Sequence, residues 1–248
     1  MSGSSSSAGH PVPVSGAYAD GVAPTKADPA RSRRSGDGGA FRGWQLGVVE
    51  FFDDLEMDNT KSYWTAHKEF YEAEVLSPMR ALLAELAPEF GEGRVFRPYR
   101  DTRFSRDKSP YKTTIAAHND AGYISLSADA LGVGSGLYMP SPTQLARFRA
   151  AVADDRTGAA LLRLLEDLRS KRIGVSAHET LKSAPRGYPN DHPRIDLLRH
   201  KGLTAWKEWP VGTWLAGSAA KRRIVDVLRA TAPLRKWLES NVGTAEGT

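Results

Sequence analysis

The stretch Ala121-Gly122-Tyr123-Ile124-Ser125-Leu126-Ser127-Ala128 decides the fold class, because apolar and polar side chains alternate along it. Successive side chains of a β-strand point to opposite faces, so this alternation predicts a strand with one apolar face. Further strands are predicted at residues 94–104, 113–118 and 131–139. The connections between them are short, which favours an antiparallel sheet over parallel strands joined by helices.

Helical patterns precede these strands. Apolar residues recur at helical spacing from Phe41 onward, and Asn59-Thr60 offers an N-cap for a second helix. Ser77-Pro78 is predicted to restart the helix, because proline is tolerated in a first turn.

Helical patterns also follow the strands. Ser141-Pro142 predicts a helix start, and Ser218 is predicted to cap a last helix. An extended pair is predicted between them, at residues 173–183 and 203–209. The pattern as a whole predicts a single α+β domain, with an antiparallel sheet of about four to six strands covered by N-terminal, middle and C-terminal helices.

The two ends of the chain differ in composition from its centre. Residues 1–39 are rich in Ser, Gly, Pro and Ala and lack a periodic apolar pattern, so we expect a disordered tail. The domain is expected over residues 41–240, with a disordered C-terminal end at 241–248.

Composition excludes several classes of chemistry. The chain has 248 residues and no cysteine, which rules out disulfides, thiolate metal ligands and a thiol nucleophile. Neither a Gly-x-Ser-x-Gly elbow nor a Walker-type loop occurs, and Gly132-Val133-Gly134-Ser135-Gly136 lies within a strand pattern. Because the sequence shows no membrane-spanning run and no secretory signal, we expect a cytoplasmic protein without a membrane partner.

Charge is unevenly distributed along the chain. Residues 41–93 hold four cations and eleven anions, whereas residues 161–248 hold sixteen cations and nine anions. The acidic and basic parts can neutralise each other across the fold, or they can steer an acidic partner.

The segment Arg97-Pro98-Tyr99-Arg100-Asp101-Thr102-Arg103-Phe104-Ser105-Arg106-Asp107-Lys108-Ser109-Pro110-Tyr111-Lys112 stands out by its charge. Together with Arg94 it contains seven cations and two aspartates, and its net charge of +5 equals that of the whole chain. We call residues 94–112 the basic motif. Clustered arginines indicate a planar anion to bind, either inside or outside the protein.

Two interpretations of the basic motif remain open. In the first, it binds a phosphate or carboxylate, with Asp101 orienting an arginine and the turn at Ser105 and Lys108 cradling the anion. In the second, it forms an internal salt-bridge network with the acidic helices of residues 41–93. The candidate ligand-binding residues of the motif are Arg97, Arg100, Arg103, Ser105, Lys108 and Lys112.

A second candidate region is the loop that contains Lys182, Arg186, Tyr188, Asp191 and His192, shaped by prolines and a glycine. A neutral imidazole there could act as an acid or base near pH 7, although a structural hydrogen-bonding histidine is the alternative. Lys182 and Arg186 are predicted to close the far side of the anion pocket.

Four pieces of the sequence carry a resemblance to a known family. They are Phe51-Phe52 with Asn59-Thr60-Lys61-Ser62-Tyr63-Trp64 and Tyr71; Tyr99 to Lys112; Gly136-Leu137-Tyr138-Met139-Pro140; and Leu181 to Tyr188 with Asp191-His192-Pro193 and Leu197-Leu198-Arg199. In this order they resemble an uncharacterised bacterial family, domain of unknown function 2461, whose members are conserved hypothetical proteins. The resemblance covers about residues 41–240, and it implies a single α+β domain with a site shared by the second and fourth pieces.

The sequence thus favours a protein that binds a small anionic ligand without a metal or another cofactor. If chemistry follows binding, the available proton carriers are Asp101, Asp107, Tyr111 and His192. One alternative is a nucleic-acid-binding module that stacks bases on Tyr99, Tyr111 and Trp206. Another is an interaction protein in which the basic cluster ties helices to the sheet.

Overall fold

The computed structural model describes residues 40–103 and 107–243. The predicted tail 1–39, Ser105 and residues 244–248 of the predicted C-terminal end lie outside the described residues. The described part of the chain has an α+β fold, as the sequence predicts.

An antiparallel sheet of six strands organises the described residues, with the order β1-β2-β3-β4-β6-β5. A tight turn joins the second and third strands, where the Asn119 side chain accepts hydrogen bonds from the backbone of Ala121 and Gly122. The strands are β1 (Arg94–Val95), β2 (Thr114–Asn119), β3 (Gly122–Ser127), β4 (Ala130–Leu137), β5 (Gly174–Ser176) and β6 (Leu203–Pro210).

The first strand is shorter than predicted. Regular pairing with β2 ends near Phe96, and of the predicted strand 94–104 the part beyond it keeps an isolated bridge between Tyr99 and Tyr111. Pro98 and Pro110 lack an N–H group, so neither can donate to a continuous ladder. The predicted strand 173–183 shortens in the same way to Gly174–Ser176.

The first helices are α1 (Gly47–Met57), α2 (Lys61–Phe70) and α3 (Ser77–Phe90), and a π-helical segment (Tyr71–Leu76) joins α2 to α3. Thr60 caps α2, since its hydroxyl accepts from the backbone N–H of Tyr63 at 3.2 Å. The helix α3 begins at Ser77 with Pro78 in its first turn, as predicted. It follows the π-helical segment without a break, and the Ser77 N–H bonds to the Glu72 carbonyl.

The later helices are α4 (Pro142–Ala153), α5 (Asp155–Ser170), α6 (Ile195–Arg199), α7 (Ser218–Ala230) and α8 (Ala232–Val242), with a 3-10 turn at Thr213–Ala216. Ser141 caps α4 as predicted, in a reciprocal box with Gln144. Ser218 does not act as a side-chain cap, because it is already the first residue of α7.

One face of the sheet is packed against helices, and we call it the core face. Its side chains are almost completely buried, among them Ile115, Ile124, Leu126, Leu131 and Val133. The alternation that predicted β3 explains this arrangement, since Ile124 and Leu126 share a face that excludes Tyr123 and Ser125.

Two ion pairs join the acidic α3 to the basic α7. Lys221 Nζ lies 2.6 Å from a Glu85 carboxylate oxygen, and the Arg229 guanidinium binds both oxygens of Glu89 at 2.7 Å. The other oxygen of Glu85 accepts from the backbone N–H of Phe41 at 2.6 Å. The acidic and basic parts of the chain therefore neutralise each other here, as the charge distribution suggested.

Candidate anion-binding site

The backbone of the basic motif folds back on itself beyond β1. The Arg100 N–H donates to the Pro110 carbonyl at 2.9 Å, and the Lys112 N–H donates to the Pro98 carbonyl at 2.7 Å. These bonds bring residues 98–100 beside residues 110–112, so Arg100 and Lys112 lie on adjacent segments of backbone.

Asn59 fixes the exit of the motif to the start of α2. Its side-chain amide donates to the Tyr111 carbonyl at 3.0 Å, and its side-chain oxygen accepts from the Tyr111 N–H at 2.9 Å. The Tyr111 ring also stacks on Trp64, with 4.4 Å between centroids and 9° between planes. Two hydrogen bonds and a stacked ring pair thus anchor the basic motif to the helical layer.

Arg103 is oriented by Asp101. The guanidinium donates to both carboxylate oxygens, at 2.9 and 2.6 Å, and the Arg103 backbone N–H donates to Asp101 at 3.3 Å. These hydrogen bonds, with the charges of Arg103 and Arg97, lower the pKa of Asp101 to about 2. The Arg103 side chain is nevertheless 77% exposed, so the pair lies at the surface.

A second internal pair joins Arg100 to Asp107. Hydrogen bonds from Ser109 lower the pKa of the Asp107 carboxyl, and Arg100 adds to the effect. The Ser109 N–H donates to the Asp107 carboxylate at 2.9 Å, and this bond holds the backbone between Asp107 and Ser109 in place. The role predicted for the aspartates, to shape the turn and orient arginines, fits these contacts.

The remaining cations of the motif have other surroundings. Lys108 Nζ donates to the Thr102 carbonyl at 2.9 Å, and Lys112 Nζ lies 5.8 Å from the centre of the Phe96 ring. Among the described residues, no carboxylate forms an ion pair with Arg94, Arg97 or Lys108. The acidic side chains of α3 bind α7 instead, so the described contacts of the motif with carboxylates are those with its own Asp101 and Asp107.

The second candidate region has a structural centre that the sequence did not reveal. The Arg194 side chain is 9% exposed, and it donates to the carbonyls of Val152 and Ala153 at the end of α4 and to the Asp155 carboxylate. Its backbone N–H donates to Nδ1 of His192 at 3.0 Å. A ring nitrogen that accepts this bond carries no proton, so His192 is held with its proton on Nε2 when it is neutral.

The other predicted residues of this loop lie at the surface. Lys182, Arg186 and Asp191 are exposed, and Tyr188 is half-buried with its backbone N–H bonded to the Pro185 carbonyl. Lys182 and Arg186 are thus exposed cations, but they lie on a different loop from the basic motif.

The topology separates the two candidate regions. The basic motif follows β1, which lies at one edge of the sheet, whereas the loop at residues 177–194 follows β5 at the other edge. The registers show that β1 runs toward the end of the sheet marked by Thr114 and Ser127, and that β5 runs toward the opposite end. The two segments therefore leave the sheet at diagonally opposite corners, an arrangement that does not support one pocket shared between them.

The predicted proton carriers are divided in the same way. Asp101, Asp107 and Tyr111 belong to the basic motif, whereas His192 lies at the other corner. Tyr111 is 5% exposed, and burial together with the neighbouring Tyr99 raises the pKa of its hydroxyl. Ser105 lies outside the described residues.

A family model decides the classification of the chain. The model of DUF2461, described as a conserved hypothetical protein, matches residues 47–237. The protein belongs to the DUF2461 family. The resemblance inferred from the sequence motifs is thereby confirmed, and no curated protein and no solved structure matches the chain.

Two further observations describe this DUF2461 protein. Within residues 40–103 and 107–243, no three side chains of His, Asp or Glu converge to hold a metal ion. In the same ranges, no helix has both the length and the apolar character that crossing a membrane requires.

Sequence reasoning missed two features near the basic motif. Asn59 was predicted as part of an N-cap, but it binds the backbone of Tyr111, which is 52 residues away in sequence. Phe96 was not among the predicted site residues, although its ring lies beneath Lys112. Its position could have been found, because Phe96 continues the alternation of the predicted strand and immediately precedes the arginines.

Proposed function

We propose that this DUF2461 protein binds a small anion, phosphorylated or carboxylated, at the basic motif. The observation that supports this proposal is the source of the carboxylates around the motif. Arg100 and Arg103 pair with aspartates of the motif itself, and the acidic residues of α3 pair with α7. Among the described residues, no ion pair joins the opening helices to the motif. Neutralisation of the motif by those helices would have left no role for an outside anion.

Each cation has a distinct part in this proposal. Arg97 and Lys108 attract the anion, since both are exposed and form no ion pair with a described carboxylate. Arg103 offers its guanidinium in an orientation fixed by Asp101, and Arg100 is fixed likewise by Asp107. Guanidinium groups held in place lose less freedom on binding, which favours recognition of a planar or tetrahedral anion.

We propose binding rather than catalysis as the function of this motif. A carboxyl group whose pKa is about 2, such as Asp101, remains ionised near pH 7 and is a weak base. The Tyr111 hydroxyl has a raised pKa and a buried ring, so it is a weak acid there.

Titration of the full chain with inorganic phosphate tests the proposal. We expect amide and arginine side-chain NMR signals of the motif to shift, and Arg97→Ala and Lys108→Ala each to weaken binding by about tenfold, the contribution of one hydrogen bond to a charged group. Arg163→Ala, which removes an exposed arginine of α5, is the matched control and should leave the affinity unchanged.

The melting temperature separates this proposal from the structural alternative. Variants that lose phosphate but keep the melting temperature support a ligand site. Variants that unfold, or that bind phosphate as tightly as the unmodified protein, would refute it and favour a cluster that ties helices to the sheet.

A further inference from the structure

Two tryptophans and two cations meet near the end of β6. Lys207 Nζ lies 5.6 Å from the centre of the Trp209 ring, and the guanidinium carbon of Arg223 lies 5.7 Å from the same centre. That guanidinium carbon also lies over the Trp214 ring, 3.9 Å from its centre. We call Lys207, Trp209, Trp214 and Arg223 the tryptophan cluster. It joins β6, the 3-10 turn and α7 around one arginine.

Packing holds the rings of the cluster in place. Trp209 and Trp214 contact the hydrophobic core, yet both remain half-buried, as does Arg223. A Cβ at Gly212 would lie 3.1 Å from the indole nitrogen of Trp214, so the glycine leaves room for this ring to lie close to the backbone. Stacking on the Trp214 ring in turn restricts the Arg223 guanidinium. The fold thus fixes the position of the central cation.

Every polar side-chain group of the cluster is a hydrogen-bond donor. Lys207 Nζ donates to the Lys171 carbonyl at 2.8 Å, which uses one of its three protons. Among the described residues, no acceptor binds the Arg223 guanidinium or the indole N–H of Trp209 or Trp214. Stacking engages the face of a guanidinium and leaves its N–H groups at the edge. The cluster therefore offers several donors without acceptors.

The acidic residues closest in sequence do not neutralise the cluster. Asp226 lies three residues beyond Arg223 on α7, but within the described residues no ion pair joins the two. Glu208 follows Lys207 on β6, and its carboxylate accepts the Trp206 indole N–H at 3.1 Å. Because side chains alternate along a strand, Glu208 lies on the other face of the sheet from Lys207. The two cations of the cluster thus form no ion pair with a described carboxylate.

We infer that the tryptophan cluster is a second binding site, for an oxyanion, which is a carboxylate or phosphate group. The edge of a guanidinium donates two parallel hydrogen bonds to such a group, and Lys207 and the indole N–H groups add further donors. The inference is independent of the proposed function, because β6 lies four inter-strand spacings from β1. This separation amounts to about 19 Å at ~4.8 Å per strand.

The indole N–H signals of the full chain provide a local NMR readout of this site. Trp209→Phe and Trp214→Phe assign the two signals, and the chain is then titrated with citrate and, separately, with inorganic phosphate. We expect both indole signals to shift with a common dissociation constant. Shifts with citrate alone assign the site to carboxylates, shifts with phosphate alone assign it to phosphate groups, and shifts with both assign it to oxyanions in general.

Variants of α7 test the role of the stacked guanidinium. Arg223→Ala should weaken this binding by about tenfold, the contribution of one hydrogen bond to a charged group. Arg223→Lys keeps a charge near Trp214 but loses the planar fork, so it should weaken binding as well. Arg222→Ala is the matched control, since it removes an exposed neighbouring arginine that is not in the cluster, and it should leave the affinity unchanged.

The outcomes separate this inference from the proposed function. Indole signals that move with neither anion, or that respond equally in the unmodified protein and in folded Arg223→Lys, would overturn the second site. The cations would then serve only to cover the rings. The signals of the basic motif should respond to phosphate in Arg223→Ala as in the unmodified protein, so failure at one site leaves the test of the other intact.

Discussion

At the scale of single residues, Tyr71 shows how burial sets the chemistry of a side chain. It is the first residue of the π-helical segment and is 4% exposed, with its ring 4.8 Å from that of Trp64. Burial raises the pKa of Tyr71 to about 12, and Glu72 and Tyr99 add to the rise while Arg80 opposes it. A buried phenol resists ionisation because its anion would lose hydration without gaining a compensating partner.

The raised pKa of Tyr71 predicts a loss of stability in alkali. The unfolded chain releases this proton near pH 10.0, whereas the folded chain holds it up to about 12. The stabilisation is therefore complete below pH 10 and is lost as the pH rises through 12, with an upper limit of about 3 kcal/mol. Urea unfolding at pH 9 and pH 11.5 measures it.

Substitution assigns this alkaline loss to one hydroxyl. Tyr71→Phe should lose less unfolding free energy between the two pH values than the unmodified protein does. Tyr188→Phe, the same change at a half-buried tyrosine of the other loop, should lose as much as the unmodified protein. An identical alkaline loss in Tyr71→Phe would show that the Tyr71 hydroxyl is not the group responsible.

At the scale of elements, the sequence predicts strands and helices that neighbouring residues encode. It does not predict contacts between residues that are far apart along the chain. The alternation at Tyr123, Ile124 and Ser125 identified a strand and its apolar face correctly, because a period of two is a local property. Asn59 looked like a helix cap because the side chain that caps α2, Thr60, lies next to it. Its actual partner, Tyr111, becomes a neighbour only when the basic motif folds back beside α2.

The Asn59 contact predicts a cost when the side chain is removed. Asn59→Ala leaves both the N–H and the carbonyl of Tyr111 without their partner, which should destabilise the protein by about 2–3 kcal/mol. Asn59→Asp keeps the acceptor but loses the donor, so an intermediate loss is expected. Asn190→Ala, in an exposed loop, provides the matched control in urea unfolding. If Asn59→Ala were as stable as Asn190→Ala, the two hydrogen bonds would not anchor the motif.

At the scale of the whole molecule, the sheet order decides which residues can form one site. The sequence identified both charged regions, but a linear pattern does not state which edge of the sheet each one leaves. Five inter-strand spacings separate β1 from β5, which amounts to about 24 Å at ~4.8 Å per strand. The strand registers also place the two loops at opposite ends of the sheet, because β1 and β5 run in opposite directions.

This separation predicts that the two charged regions act independently. Phosphate affinity should fall in Lys108→Ala and stay unchanged in Lys182→Ala, and the double variant should match the sum of the single effects within about 0.5 kcal/mol. At about 0.15 M salt, where the Debye length is about 8 Å, the charge of Lys182 is screened from the basic motif. The pair Arg97→Ala and Lys108→Ala, both within the motif, serves as the comparison and should deviate from additivity. A clear interaction energy between Lys108 and Lys182 would instead mean that one anion contacts both loops, since two separate corners give no physical route to such coupling.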